Sequence, residues 1–488
     1  MGHHHISEVN DEKYIFTGRS KVIVGLVFLV GLILTYIGVN QIKHEEDRHN
    51  EAQTEEHAST AQDLPIHTAS LQDGHVDHGD ESHAQEHATH AEDAHPAEEA
   101  HGAKTADHAD EAAADHGGGH GPKWLTRLWA NLLLNAYYFM LFAVGALFFL
   151  AVNYAANAGW STLLKRIIES ISSYIPIGII SLVLVIYFGK EHLYHWVVYL
   201  DQGLGAGHPE FDKILDNKSW FLSSGWLLIG VPTIMVIWWI FRIVLVRLSE
   251  KEDQEGGLSY FKKSITYSAL FLVIFAFSFS VLSWLVMMSI DPHWYSTMYS
   301  VYNFAIAFVT ALTVICFFTL YLKSKGYMEV VSDEVIHDLG KFMFAFSIFW
   351  GYIFICQFML IWYANITEES IYFAQRLTPN FKWFFRTNVI MCFALPFLVL
   401  MMRNAKRNPK VLLVAGACIL LGHWLDLFLM IMPGTVGQTA KIGMLEVGLT
   451  MTFAGVFIFW VLNNLSKKSL YTKNHPYLLE SANHDVGV

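Results

Sequence analysis

Long apolar runs separated by short polar stretches dominate the chain. Ten of them stand out, at 21–39, 131–156, 172–189, 219–247, 265–289, 299–322, 340–363, 383–402, 411–432 and 442–463. Crossing ~30 Å of hydrocarbon takes about 20 helical residues. Backbone groups find no water in lipid, so such runs must be helices. The pattern therefore predicts an all-α integral membrane protein with about ten transmembrane helices. No small-residue cleavage site follows the first run, which is read as an anchor rather than a signal peptide.

The runs carry a weak internal repeat. "GWLLIGVPTIMVIWWIFRIVLVR" and "FFRTNVIMCFALPFLVLMMRNAKR", spans four and eight, both hold an interior proline (Pro232, Pro396) and end in arginines. "LSWLVMMSIDP" and "GHWLDLFLMIMP", spans five and nine, share Trp284–Leu285 and Trp424–Leu425, each followed by a proline. A step of four helices predicts two parallel four-helix bundles, spans 2–5 and 6–9, plus two peripheral helices.

Composition adds one element that hydropathy does not describe. Residues 44–121 hold 14 histidines and 20 acids against Arg48 and Lys104. Too little apolar surface is present there to offset ordering entropy, so disorder is expected. The segment is read as a divalent-metal buffer, an acidic lure for a basic soluble partner, or a tolerated linker. The chain divides into 1–43 (tail and first helix), 44–121 (external insertion), 122–264 (helices two to four and the link to five) and 265–488 (helices five to ten and a tail).

Lys and Arg in the short loops set orientation. Arg403, Lys406, Arg407 and Lys410 share one loop, and Lys467, Lys468 and Lys473 lie in the tail. Placing these inside puts both termini in the cytoplasm and the histidine-rich segment outside.

Charged groups at membrane depth are expensive and tend to mark pathways. An outer cluster begins with His423 and Asp426, at i and i+3 on one helix face. With Met432 as the outer end of span nine, Asp426 lies roughly 9 Å below the boundary. Glu446 has a similar depth on the next helix, so the two carboxylates are expected to face each other; two acids in a low dielectric compete for ionisation, which suits proton handling. The hairpin "SIDPHWYSTMYSVY" caps the same side with Asp291 and His293. Helix-packing hydrogen bonds are the plainer alternative for this cluster.

At the inner side, "HDLGK" sets His337, Asp338 and Lys341 where span seven enters, a pattern that also suits a helix N-terminus. Between the clusters span seven carries Ser347, Tyr352, Gln357 and Tyr363, a neutral proton relay or ordinary packing. His192 and His195 share a face at the outer end of span three. A bis-histidine haem needs ligands on facing helices at matched depth, and His423 has no such match. The four cysteines, Cys316, Cys356, Cys392 and Cys418, all lie within spans and read as buried, inert thiols; no haem-attachment or iron–sulfur spacing occurs.

Three stretches, "SWLVMMSIDPHWYSTMYSVYNFA", "HDLGKFMFAFSIFWGYIFICQFMLIWYANITEES" and "GHWLDLFLMIMPG", resemble the membrane subunits of alternative complex III, a bacterial quinol:cytochrome c oxidoreductase. Those subunits are of the polysulfide-reductase, NrfD-like type, with ten helices in two bundles, and the likeness is to the second of the two. It is dense from about residue 265 to 435 and leaves out the histidine-rich segment. The family often has an acid just before the first tryptophan, where this chain has Ser283.

The resemblance implies an inner-membrane subunit without a cofactor of its own, near a menaquinol or other quinol. Its partners would be multihaem and monohaem cytochrome c subunits, an iron–sulfur subunit, a second NrfD-like subunit, lipid and a terminal oxidase, with no nucleic acid. Under that reading His337 and Asp338, with Lys341 in the same cluster, serve an inner proton half-path, Gln357 lies between the clusters on the candidate route, and His423, Asp426, Glu446, Asp291 and His293 serve an outer half-path. No catalytic residue is assigned. A self-standing secondary transporter or proton-conducting membrane protein is the alternative of a different class.

Overall fold

The computed structural model describes residues 12–62, 122–203, 208 and 211–484, with backbone only over 53–62. Among the described residues, ten helices are long and apolar enough to cross a membrane. We label them α1 (Gly18–Gln62), α2 (Lys123–Ala155), α3 (Thr162–Leu193), α4 (Trp226–Glu255), α5 (Leu258–Ile290), α6 (Tyr299–Ser324), α7 (Asp333–Ala364), α8 (Lys382–Leu400), α9 (Pro409–Thr435) and α10 (Met444–Leu465). The protein is an all-α, multi-pass membrane protein. No strand is present among the described residues beyond a single bridge between Lys13 and Ser469.

Helices α2 to α5 close into one four-helix ring and α6 to α9 into another, each helix touching its chain neighbour and the first touching the last. The rings meet chiefly along α2 and α6, whose apolar stretches are 89% buried against 17% for α1. Small residues permit this crossing, because a Cβ on Gly145 would meet the Ala311 methyl at 2.7 Å. Helix α10 packs on α2. Helix α1 lies antiparallel to α10, with Gly31 and Gly38 set against Thr452 and Leu445, and Gly448 and Gly455 against Thr35 and Phe28.

The repeat has a backbone counterpart. Helix α4 opens with a π-turn at Trp226–Gly230 and α8 contains one at Ile390–Ala394. Each lies just before the interior proline, Pro232 or Pro396, where a missing N–H loosens the α-helical ladder.

Several helices start earlier than hydropathy predicts: α2 at Lys123, α3 at Thr162 and α7 at Asp333. Helix α3 also breaks at Ser173 and Tyr174. Residues 44–62, expected to be disordered, are helical; the rest of the histidine-rich segment, 63–121, with its metal-buffer and lure readings, lies outside the described residues.

We call the side where Leu470 donates to the Glu12 carbonyl (2.8 Å) the near face, and the opposite side the far face.

Candidate functional site

Asp426 is 3% exposed, on the far-face half of α9. Every helix of the second ring brings a group to it. Tyr302 of α6 donates to Oδ1 at 2.6 Å, Trp350 of α7 donates from Nε1 to Oδ2 at 3.0 Å, and Asn388 of α8 donates to Oδ1 at 2.9 Å. One turn earlier on α9 itself, His423 Nδ1 lies 3.8 Å from Oδ2. No Lys or Arg nitrogen lies within 4.0 Å among the described residues. Desolvating a carboxylate without a cationic partner is costly, and three directed donors offset much of that cost.

Local packing explains the convergence. Gly422 lets α8 approach α9, since a Cβ there would meet the Cys392 amide nitrogen at 3.1 Å. The π-turn of α8 begins two residues after Asn388, and the Cys392 thiol donates to the Asn388 side-chain Oδ1 at 3.0 Å, fixing the amide so that its NH2 faces Asp426. His423 is fully buried, its Nδ1 lies 3.6 Å from Cys392 Sγ, and its Nε2 has no partner among the described residues.

Asp426 forms the closed end of a cleft with about 390 Å³ of empty space, open mouth included, between α6, α7, α8, α9 and the short far-face helix Thr367–Arg376. Aromatic rings, including Tyr302, Phe354 and Phe385, make up half of its lining; Asn388 lies beside Asp426, and Gln357 and Arg376 supply the other polar groups. Gln357 donates to Ser296 at 3.1 Å, which ties α7 to the hairpin.

Arg376 is a site residue that the sequence reading missed, since an arginine in an amphipathic loop carries no signal of its own. It is 2% exposed. Its guanidinium donates to the carbonyls of Leu429 (2.9 Å), Tyr372 (2.6 Å) and Met430 (3.2 Å) and to Asp291 Oδ2 (2.8 Å). It also lies 3.4 Å from the Tyr372 ring centroid, on whose ring Trp294 stacks at 3.9 Å. Burial pushes the Tyr372 phenol up to about 12, with the Arg376 charge holding it from rising further.

The hairpin is thus a lid built on an ion pair whose guanidinium is buried and whose carboxylate is partly exposed. Asp291 faces Arg376 rather than open water. His293 does face outward, at 47% side-chain exposure, and pairs with Asp212 at 2.5 Å. Burial alone would raise the Asp212 carboxyl, but hydrogen bonds from His293 and from the Leu215 and Ile214 amides hold it below its ordinary value.

Glu446 does not face Asp426. Its carboxylate accepts from Arg127 Nε (2.8 Å), Asn131 Nδ2 (3.0 Å) and the Gly443 amide (2.8 Å), the last closing the N-terminus of α10. A polar thread, Trp424 to Asn135 (3.4 Å) and Asn135 to the Asn131 carbonyl (2.9 Å), lies between the two carboxylates' helices. Glu446 lies in the first turn of α10, which starts at Met444, while Asp426 lies nine residues before the end of α9 at Thr435, so the expected facing pair of carboxylates does not form.

At the near face, the α7 cap is Ser332, which accepts from Val335; Asp338 sits beyond the first turn. There His484 of the tail bonds Asp338 at 2.8 Å and Lys341 pairs with it at 2.5 Å. His337 is buried 3.6 Å from Glu334, which pairs with Arg407. The neutral relay does not form as a line, because Tyr352 and Tyr363 are exposed on the outer surface of α7.

Two further expectations change. Helix α3 ends at Leu193 and an extended Tyr194 separates His192 from His195, so the two do not share one helix face. Cys356 is exposed on α7, while Cys316 and Cys392 are buried.

The first ring holds a second near-face cluster that hydropathy hid. Lys165, Arg166 and Glu169 at the start of α3 are buried with Glu252 of α4. Lys165 pairs with Glu252 at 3.1 Å, and Arg166 with Glu169 at 2.5 Å and with Asp253. Among the described residues, no three His, Cys, Asp or Glu side chains are grouped to hold a metal ion.

Compared with protein-family models and with curated proteins, the chain finds no match.

Proposed function

We propose that this chain is an integral subunit, with no redox group of its own, of a quinol:cytochrome c oxidoreductase of the alternative complex III type. Its site would be the Asp426 cleft. The single observation that carries the reading is where the three resembling stretches meet. "GHWLD" contributes the carboxylate, the stretch ending "MYSVYNFA" contributes Tyr302, and "SIFWGYIF" contributes Trp350. Residues far apart in sequence supply the acid and two of its three donors at one buried point.

A buried carboxylate held by neutral donors can take up and return a proton without breaking an ion pair. Quinol oxidation releases both electrons and protons. In this proposal the electrons leave through haem and iron–sulfur partner subunits and a proton leaves by Asp426, the cleft and the Asp291–Arg376 lid. The near-face group of His337, Asp338 and Lys341 would form the inner half of the route. The chain would sit in the bacterial inner membrane with the near face cytoplasmic, beside a second NrfD-like subunit.

One observation favours a self-standing transporter instead: the π-turn at Ile390–Ala394 interrupts α8 part-way along its length. Gentle purification of the tagged chain from its own membranes separates the readings. Co-isolation of c-type cytochromes and an iron–sulfur protein is the expected result, and a chain recovered alone, without haem absorbance, overturns it.

A further inference from the structure

A recess with about 240 Å³ of empty space, open solvent included, lies among the near-face parts of α3 and α4, the end of α10 and the residues that follow it. Arg166, Ser170, Arg242, Asn464, Lys468 and Ser469 line it, with Glu169 as the single carboxylate. Two of the three cations are already matched, Arg166 by Glu169 and Asp253, and Lys468 by Glu250.

Arg242 is not. It donates only to neutral oxygens, at long range, to Ser172 Oγ at 3.3 Å and the Glu169 carbonyl at 3.4 Å. No carboxylate oxygen lies within 4.0 Å of it among the described residues. A guanidinium within a spanning helix is expensive without a contact counter-ion, and a planar fork of donors suits a phosphate.

We infer that this recess binds the phosphate of an anionic phospholipid, with Arg242 as its principal ligand and Lys468 and Ser469 at the rim. The surroundings favour a lipid over a soluble anion. Lys468 and Ser469 follow the end of α10 at Leu465, so the recess lies where that helix leaves its apolar stretch. Two residues before Arg242 on α4, Ile240 is 51% exposed, giving apolar surface along which acyl chains can lie. The site would bridge the first ring to α10 and is independent of the Asp426 reading.

The test is native mass spectrometry of the full-length protein released from nanodiscs that contain equal phosphatidylglycerol and phosphatidylcholine. The wild type should retain phosphatidylglycerol preferentially, and Arg242→Gln should lower that retention about fivefold, the contribution of one basic residue to an anionic lipid surface. Arg242→Lys should restore part of it, and Lys468→Gln, at the rim, should weaken retention without threatening the fold. Added inorganic phosphate should leave the bound lipid in place. Equal retention in wild type, Arg242→Gln and Lys468→Gln overturns the inference, as does bound inorganic phosphate without lipid.

Discussion

Tyr302 on α6 donates its phenolic hydrogen to Asp426 on α9 across 2.6 Å, in a site where both side chains are buried. Removing that donor by Tyr302→Phe keeps the ring against Trp350 and Phe354 but leaves a carboxylate oxygen with one fewer partner. A loss of about 1.5–3 kcal/mol in unfolding free energy is expected, typical of a hydrogen bond to a charged group. Denaturant titration in mild detergent measures it, and an unchanged midpoint would mean that water replaces the phenol.

Asp291 and Arg376 hold the lid, with side-chain exposures of 18% and 3%. Asp291→Asn leaves the buried guanidinium bonded to three carbonyls but without a counter-charge, at a cost of roughly 3–5 kcal/mol. The Trp294–Tyr372 stack should loosen with it, and a red shift in tryptophan emission would report the opening. Arg376→Met together with Asp291→Asn should recover part of the loss.

The α1–α10 contact depends on residues without side chains. In Gly448→Leu the new side chain would collide with the α1 backbone at Thr35, an overpacking that costs about 1–3 kcal/mol. Protease susceptibility of the stretch before α1 should rise while the two four-helix rings keep their thermal transition. A wild-type digestion pattern would show that α1 is held by something else.

The tail carries a pH dependence. His475 packs among Tyr154, Phe261 and Tyr477, and burial, with the Lys165 charge beside it, lowers its imidazole from 6.5 to about 3. An undocked tail therefore binds a proton below about pH 6.5 that the docked tail refuses until about pH 3. Docking is at full strength above pH 6.5 and weakens as pH falls from there toward 3. Hydrogen exchange over 470–484 should rise across that window, and His475→Phe should flatten the dependence.

The spans and the two rings were legible because lipid imposes a long apolar run on each helix and the proline-bearing repeat marks the ring boundaries. Helix starts were not, where charge enters the helix. Lys165, Arg166 and Glu169 look like loop residues to a hydropathy window, yet they are buried by pairing with Glu252 and Asp253. His423 and Asp426 were found from depth and face alone. Their donors, Tyr302, Trp350 and Asn388, come from three other helices, and helix rotation about its own axis is not written in one sequence. Glu446 was misplaced in depth, and its partner Arg127 lies on the extension of α2 that hydropathy did not include. The glycine spacing that joins α1 to α10 was available, seven residues apart on both helices (Gly31 and Gly38, Gly448 and Gly455), and was the overlooked signal.

The most direct test of the Asp426 reading is quinol oxidation and proton release by the purified membrane complex carrying Asp426→Asn, reconstituted in liposomes. The asparagine keeps the shape, and its one oxygen can still accept from Tyr302 and Asn388, but its NH2 faces the Trp350 N–H as donor to donor and it cannot carry the proton. The account predicts an assembled complex in which proton release falls about a hundredfold, the lower end of what a positioned acid–base group contributes. Electron transfer and proton release that both match wild type, with the complex intact, would contradict it and leave Asp426 as a packing residue.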